Sequence, residues 1–229
     1  AALTIPSEVK NINSKAFMYA KINGDLTLPA SLENIYGNAF QEAEIKGSVS
    51  FKNTKTKIVS EAFKQAVFSK TLVLPTGISK VESSSFISAV FEHSITFPSG
   101  LTEIAASAFK DAKFTDAIQL PDSLQNVRTS AFNGCEFSSD TSLTFGRYMS
   151  RIESTAFQNS NLQSIAFHSD AKLTTIGNKA FEGLFQLKVV KEQNKLYSEN
   201  IDESAFEGDE NIDFSSITSE NIKEKAFRN

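Results

Sequence analysis

A Phe preceded by Ala or Ser returns along this chain at Phe17, Phe40, Phe63, Phe86, Phe109, Phe132, Phe157, Phe181, Phe206 and Phe227. The intervals are 23, 23, 23, 23, 23, 25, 24, 25 and 21 residues. Half of the twenty Phe therefore occupy one slot of a repeat, in a sequence with no Trp. A unit of about 23 residues is too small to bury its own apolar face, and a fixed period of this size signals units that bury one another by stacking.

Alignment of the units on that Phe shows what each slot is for. The second unit places Leu26, Leu28, Leu32, Ile35, Ala39, Phe40, Ala43 and Ile45, and the fifth places Ile95, Phe97, Leu101, Ile104, Ala108, Phe109, Ala112 and Phe114. The first pair in each set alternates with one intervening residue, which is strand periodicity. The Ala-Phe segment has apolar residues three apart, which predicts a short helical turn. All five prolines, Pro6, Pro29, Pro75, Pro98 and Pro121, directly follow the second strand residue, where a missing ladder donor ends a strand. Ser14, Ser60, Ser83, Thr129, Ser154 and Asn178 stand three residues before the Phe and read as helix N-caps. A nucleophilic Ser would instead need a His base, and the two histidines, His93 and His168, lie in different units with no recurrent pattern around them.

The pattern LPxxLxxIxxxAFxxA, written as LPASLENIYGNAF and LPDSLQNVRTSAFNGC, resembles the leucine-rich repeats of the BspA-like class, also called the Treponema pallidum type. The resemblance covers essentially the whole chain. In that class the slot three after the Phe is often Cys; here it holds Ala20, Ala43, Ala66, Ala89, Ala112 and then Cys135. The lone cysteine reads as a small buried residue with no disulfide partner.

Departures cluster in two places. The third unit has Phe51-Lys52 in place of Leu-Pro and Lys55 in place of Leu, which predicts a slightly open corner. Beyond residue 137 Pro disappears and the spacing wanders. We therefore expect a single domain over 1–229, with regular repeats over 1–137 and more irregular repeats over 138–229. Its end is strongly acidic (Glu199, Asp202, Glu203, Glu207, Asp209, Glu210, Asp213, Glu220, Glu224). Terminal repeats meet water on one face, so these acids read as a solvated cap. A calcium site at Asp209, Glu210 and Asp213 would lack the glycine-turned spacing of a calcium loop.

The expected fold is an α/β solenoid: a curved, right-handed leucine-rich repeat coil of about ten repeats of ~23 residues. A parallel β-sheet lines its concave face, and short helical or 3₁₀ turns line the convex face. At the chain start, Leu3, Ile5, Val9 and Phe17 would leave an apolar edge, which predicts end-to-end self-association or a preceding segment that covers it.

Composition narrows function by exclusion. A net charge of -4 and a pI near 5.4 oppose a nucleic-acid partner, which needs Lys and Arg gathered on one face. No stretch approaches the ~20 apolar residues of a membrane helix. No metal or cofactor motif appears: neither a zinc helix, nor a phosphate-cradling glycine loop, nor a dinucleotide fingerprint. Ala1 to Thr4 have neither the charge nor the length of a signal peptide, so an exported form is expected to have lost one.

The remaining candidate is the outward strand face, whose residues are Thr27, Ser48, Ser50, Thr71, Val73, Ser94, Thr96, Gln119, Ser142 and Thr144. It would be a smooth, mostly uncharged ribbon about 45 Å long if ten strands lie ~4.8 Å apart. The acids at such positions, Asp25 and Asp213, would sit about 40 Å apart, far beyond the roughly 5–9.5 Å that two carboxylates need to cleave a glycosidic bond. Loop acids such as Glu33, Glu103 or Glu153 keep a polysaccharide-active or carbohydrate-binding solenoid as an alternative. A structural scaffold with no specific ligand is another. The favoured reading is a non-catalytic protein-recognition module. The resemblance implies a surface or secreted protein of bacteria or some protists, adhesive toward extracellular-matrix or host-surface proteins.

Overall fold

The computed structural model describes residues 2–184, 187–190, 196–209 and 217–228. The chain winds as a solenoid of about nine turns, and its strands run parallel to their neighbours one repeat away. Each of the first five coils carries three short strands rather than the single strand expected. In the second coil these are Leu26–Leu28, Asn34–Ile35 and Glu44–Ile45.

Three ladders follow. The first joins Leu3–Thr4, Leu26–Leu28, Val49–Phe51, Leu72–Val73 and Ile95–Thr96, and resumes as a separate sheet of Ser142–Phe145, Ser164–Phe167 and Lys188–Val190. The second ladder follows the corner, from Asn11–Ile12 to Lys57–Ile58, then from Lys80–Val81 through Ile217–Ile222. The third runs from Lys21–Ile22 to Lys113–Phe114 and ends in a single bridge from Lys113 to Glu136. Register is strict: Ile22 pairs with Ile45, Ile45 with Phe68 and Phe91 with Phe114. Stacking like on like keeps each apolar column pointed inward, because a one-residue slip would turn it to solvent.

The Ala-Phe segments are not helical, which corrects both the helical layer and the N-cap reading. They are runs of linked turns in which alternate amides bond in two directions. In the second coil the Ala39, Gln41 and Ala43 amides donate locally to the Tyr36, Asn38 and Phe40 carbonyls, each at 3.1 Å. The Asn38, Phe40 and Glu42 amides donate across to Glu61, Ala62 and Lys64 of the next coil at 3.0, 2.8 and 2.9 Å. An α-helix would point all of these amides along its own axis, whereas here half of them tie the coils together.

This alternation requires a left-handed backbone at two slots, two residues before and two after each ladder Phe. Every described residue with positive φ occupies one of them, from Lys15 (φ 63) and Tyr19 (φ 60) to Gly208 (φ 85) and Lys225 (φ 57). Sixteen of these residues are not glycine, and each costs about 1 kcal/mol in local strain. At most of them the hydrogen bond that the amide makes across to the next coil offsets that cost. Ser and Thr before the Phe therefore have no helix to cap. The three-residue apolar spacing reflects the turns, whose side chains fall on one side as a helix's would.

The Phe column stacks from Phe17 to Phe227 with ring centroids 4.9–5.4 Å apart and planes within 11° of parallel. That spacing is close to the ~4.8 Å between strands. With no helical layer about 10 Å thick to splay one side, the expected contrast of a helical convex face with a sheet-lined concave face does not arise. A second column, Phe68, Phe91, Phe114 and Phe137, stacks at 5.0–5.5 Å beside the first. From Phe40 to Phe206 the ladder rings are essentially fully buried, and each contributes about 2–3 kcal/mol of transfer free energy.

Candidate functional site

The ten ribbon residues all lie exposed or half-buried, as outward strand positions should. Leu26, Leu28, Leu72, Ile95 and Leu143 point the other way and are buried. Register aligns Thr4 with Thr27, Thr27 with Ser50, and Val73 with Thr96. β-Branched and hydroxyl side chains fit this pleated, half-exposed surface. Val73, 45% exposed, is the largest apolar group on it. Polar contacts are local: Ser94 Oγ donates to Asp116 Oδ2 at 3.2 Å, Ser142 Oγ to Ser164 Oγ at 3.1 Å, and the Ser48 amide to Asp25 Oδ1 at 2.8 Å.

The ribbon is not continuous. Ala117 to Leu120 are not in a strand, so Gln119 lies between a five-stranded and a three-stranded sheet. The uninterrupted part extends about 19 Å rather than 45 Å, at ~4.8 Å per strand. Farther on, Ala166, at an outward position by sequence, is 7% exposed. The smooth face thus belongs to the first five coils, and Asp213 lies outside the described residues.

Two of the three loop acids, Glu103 and Glu153, are committed elsewhere. Arg128 donates to Glu103 Oε2 from Nε at 2.8 Å and from Nη2 at 2.5 Å, and from Nη1 to Glu153 Oε1 at 2.6 Å. Burial raises the Glu103 pKa, but hydrogen bonds and charge from Arg128 and Lys80 outweigh it and hold the group below the usual carboxylate range. A carboxylate held ionised is poorly suited to donate a proton to a leaving group. Sequence reading missed this cross-coil pairing. Its signal was opposite charges about one repeat apart: Lys80 and Glu103, then Glu103, Arg128 and Glu153.

Cys135 fills the small-residue slot at 1% exposure, and its thiol donates to the Phe109 carbonyl at 2.8 Å. Burial pushes its pKa well above the ordinary thiol value, which opposes the thiolate that reactive or metal-binding cysteines need. In the acidic region the solvated reading fails at one residue. Asp209 is 1% exposed, and neither carboxyl oxygen has a hydrogen-bond partner among the described residues. Burial pushes its pKa up to about 8 against a weaker opposite pull from the Leu184 backbone, so it is mostly neutral at pH 7. A neutral carboxyl is a poor calcium ligand. Glu210 and Asp213, the other members of that suggested site, lie outside the described residues. Asp202 pairs with Lys223 at 2.5 Å, and Glu220 accepts from the Tyr197 hydroxyl at 2.6 Å.

No helix among the described residues is long and apolar enough to cross a membrane. The sequence matches the family described as BspA type leucine rich repeat region (6 copies) over residues 1–115 and 102–229. Among solved structures it is similar to the pneumococcal vaccine antigen PcpA, at 17% identity and a TM-score of 0.55, covering 96% of this chain and 67% of that one. A leucine-rich repeat protein from Bacteroides ovatus is 16% identical (TM-score 0.46; 99% and 72% covered). A leucine rich cell surface protein from Faecalibacterium prausnitzii is 15% identical (TM-score 0.40; 96% and 86% covered). No curated protein matches the chain significantly. At such identities the likeness to PcpA carries the fold alone, since one fold hosts many ligands.

Proposed function

This chain belongs to the BspA type leucine-rich repeat family, and from that premise we propose that it is a non-catalytic recognition module, displayed outside the cell, that binds a protein ligand through its first ladder. The observation that carries this reading is the five-coil face of small, mostly uncharged, exposed or half-buried side chains around Thr27, Ser50, Thr71, Val73 and Thr96. A flat face with rigid backbone suits an extended partner that makes many weak contacts. Lacking Trp, Tyr or Arg anchors, the face supports affinity on the order of micromolar per site. Adhesion then depends on multivalent display.

The test is binding to a panel of immobilised extracellular-matrix proteins by the wild type and by a triple variant, Thr27→Glu, Val73→Glu and Thr96→Glu. Outward positions carry little core packing, so thermal stability should stay near wild type while binding falls at least tenfold. A second variant, Tyr19→Glu with Gln65→Glu, places charge on the turn ladder, where both residues are exposed. Loss of binding in that variant alone would move recognition to the turn side and overturn the choice of face.

A further inference from the structure

The third coil breaks the repeat where sequence placed an open corner, and the second ladder breaks with it. Lys57–Ile58 ends one sheet, Lys80–Val81 begins the next, and no strand pairing joins them among the described residues. The cause is local. Lys55 stands where Leu32, Leu101 and Leu124 sit fully buried in other coils, and a lysine cannot enter that slot uncompensated. Thr56 turns in instead, at 0% exposure, with its hydroxyl donating to the Leu32 carbonyl at 2.9 Å. A threonine fills less space than a leucine, so the next residue of the apolar column, Ile78, is left only partly buried.

The space that remains is a cleft of about 320 Å³, at the small end of ligand pockets and sufficient for one large side chain. Its apolar wall is the half-buried Ile78, backed by the buried Ile58, Leu74 and Phe86, and its rim carries Lys55, Lys57 and Lys80 against Glu82. Lys57 and Lys80 share Glu82 at 3.7 and 3.4 Å, and Lys80 reaches Glu103 at 3.3 Å. Glu103 is itself shared with Arg128. Lys55 has no ion-pair partner among the described residues and is exposed. The rim is therefore cationic on balance, in a chain whose net charge is -4.

We propose that this cleft between the third and fourth coils is a binding site for an acidic peptide segment, with one apolar or aromatic side chain entering the pocket and flanking carboxylates meeting Lys55, Lys57 and Lys80. The apolar wall supplies burial for the anchor, and the excess positive charge selects the sign of its neighbours. This site is separate from the ribbon of the first ladder, so either reading can fail without the other.

Because the chain has no Trp, a capped peptide Asp-Asp-Trp-Asp-Asp brings the only indole into the experiment. Mixing should shift its emission to the blue, saturate in the range of tens to hundreds of micromolar, and weaken several-fold as salt rises from 50 to 500 mM. Lys55→Leu, which restores the repeat, should fill the cleft and reduce affinity at least tenfold without loss of folding. Lys55→Glu leaves the pocket open but reverses a rim charge, and should reduce affinity several-fold. The Val73→Glu, Thr96→Glu ribbon variant should bind the peptide as wild type does. Unshifted emission, equal binding of a Lys-Lys-Trp-Lys-Lys peptide, or undiminished affinity in Lys55→Leu would each overturn the proposal and leave the cleft a packing defect filled by water.

Discussion

The coils before residue 138 and those after it hold the same solenoid together in different ways. In the earlier part the strands are two or three residues long, three ladders run side by side, and two Phe columns pack against each other. Phe86 tilts against Phe68 and Phe91 at 6.3 and 5.9 Å, and Phe109 against Phe91 and Phe114 at 6.1 and 5.8 Å. After Phe137 the second column ends, the third ladder has closed in its bridge to Glu136, and no proline marks the corner. The second ladder lengthens there instead: Leu173–Ile176, Leu196–Ile201 and Ile217–Ile222 have four, six and six residues. Longer backbone pairing takes over from the second column, and beside the ladder Phe145 stacks on Phe167 at 4.9 Å and meets Phe157 edge-on at 5.9 Å. The ladder Phe and its turn are the part both regions keep, which identifies that slot as the minimum requirement of the repeat.

The largest expected effect separates the two regions directly. Phe109→Ala removes a ring that touches both columns and also meets Phe97 edge-on at 5.8 Å, so it should cost about 4–5 kcal/mol. Phe206→Ala removes a ring that, among the described residues, stacks only between Phe181 and Phe227 and should cost about 3 kcal/mol. Urea denaturation midpoints measure both, and equal losses would show that the second column adds nothing to the earlier coils.

A pH experiment probes the later region through Asp209. Its folded pKa, raised to about 8, lies above the ordinary carboxylate value, so the folded state holds the proton more tightly. Stability from this group is full below about pH 4, falls as pH rises toward about 8, and is flat beyond that. Asp209→Asn should match the wild type near pH 4 and exceed it by on the order of 2 kcal/mol at pH 8.5, capped by local opening of the last coils. A wild-type advantage at pH 8.5 would mean that the ionised carboxylate has a partner.

Arg128 lies where the regions meet, bridging Glu103 of one coil to Glu153 two coils on. Arg128→Met should destabilise by about 1 kcal/mol at low salt, and the difference should shrink by half or more in 0.5 M salt because these groups are partly exposed. A salt-insensitive loss would point to the packing of the side-chain stem instead. The left-handed slots carry the last effect: after the Phe, glycine enters them only from the sixth coil on, as Gly134, Gly183 and Gly208. Ser84→Gly should change stability by less than about 1 kcal/mol, since relief of strain and loss of chain entropy oppose each other. Ser84→Val should destabilise by roughly 1–2 kcal/mol, because a β-branched side chain fits positive φ poorly. A tolerated valine would show that the turn can rearrange.

Some of the candidate surface was legible and some was not. Alternation around Leu26-Thr27-Leu28 placed Thr27 outward, and the structure agrees, because a two-residue period follows from strand geometry alone. Gln119 sits in an equally good alternation, Ile118-Gln119-Leu120, yet its segment lies outside the strands. Lys55 announced an open corner by breaking a slot that is apolar in the neighbouring coils, as Leu32, Ile78 and Leu101. Its consequence, an interrupted second ladder with a cationic rim, needed the positions of Lys57 and Lys80 in neighbouring coils. Asp209 read as one acid among many, since nothing in a single sequence tells a buried carboxyl from a solvated one.

The repeat length, the inward Phe column, the proline-marked corners and the membership of each apolar slot were determined by the sequence itself. Each follows from a local rule, whether the missing donor of proline, the alternation of a strand or the need of a short unit to share its core. The number of strands per coil and the character of the Ala-Phe segment were decided only by the tertiary structure. The local bonds of that segment satisfy half of its amides, and only the adjacent coil supplies acceptors for the rest. An isolated unit has no such neighbour, so its three-residue apolar spacing reads as a helix. Stacked units hold the left-handed turns because most of the strained residues donate a hydrogen bond that exists only between coils.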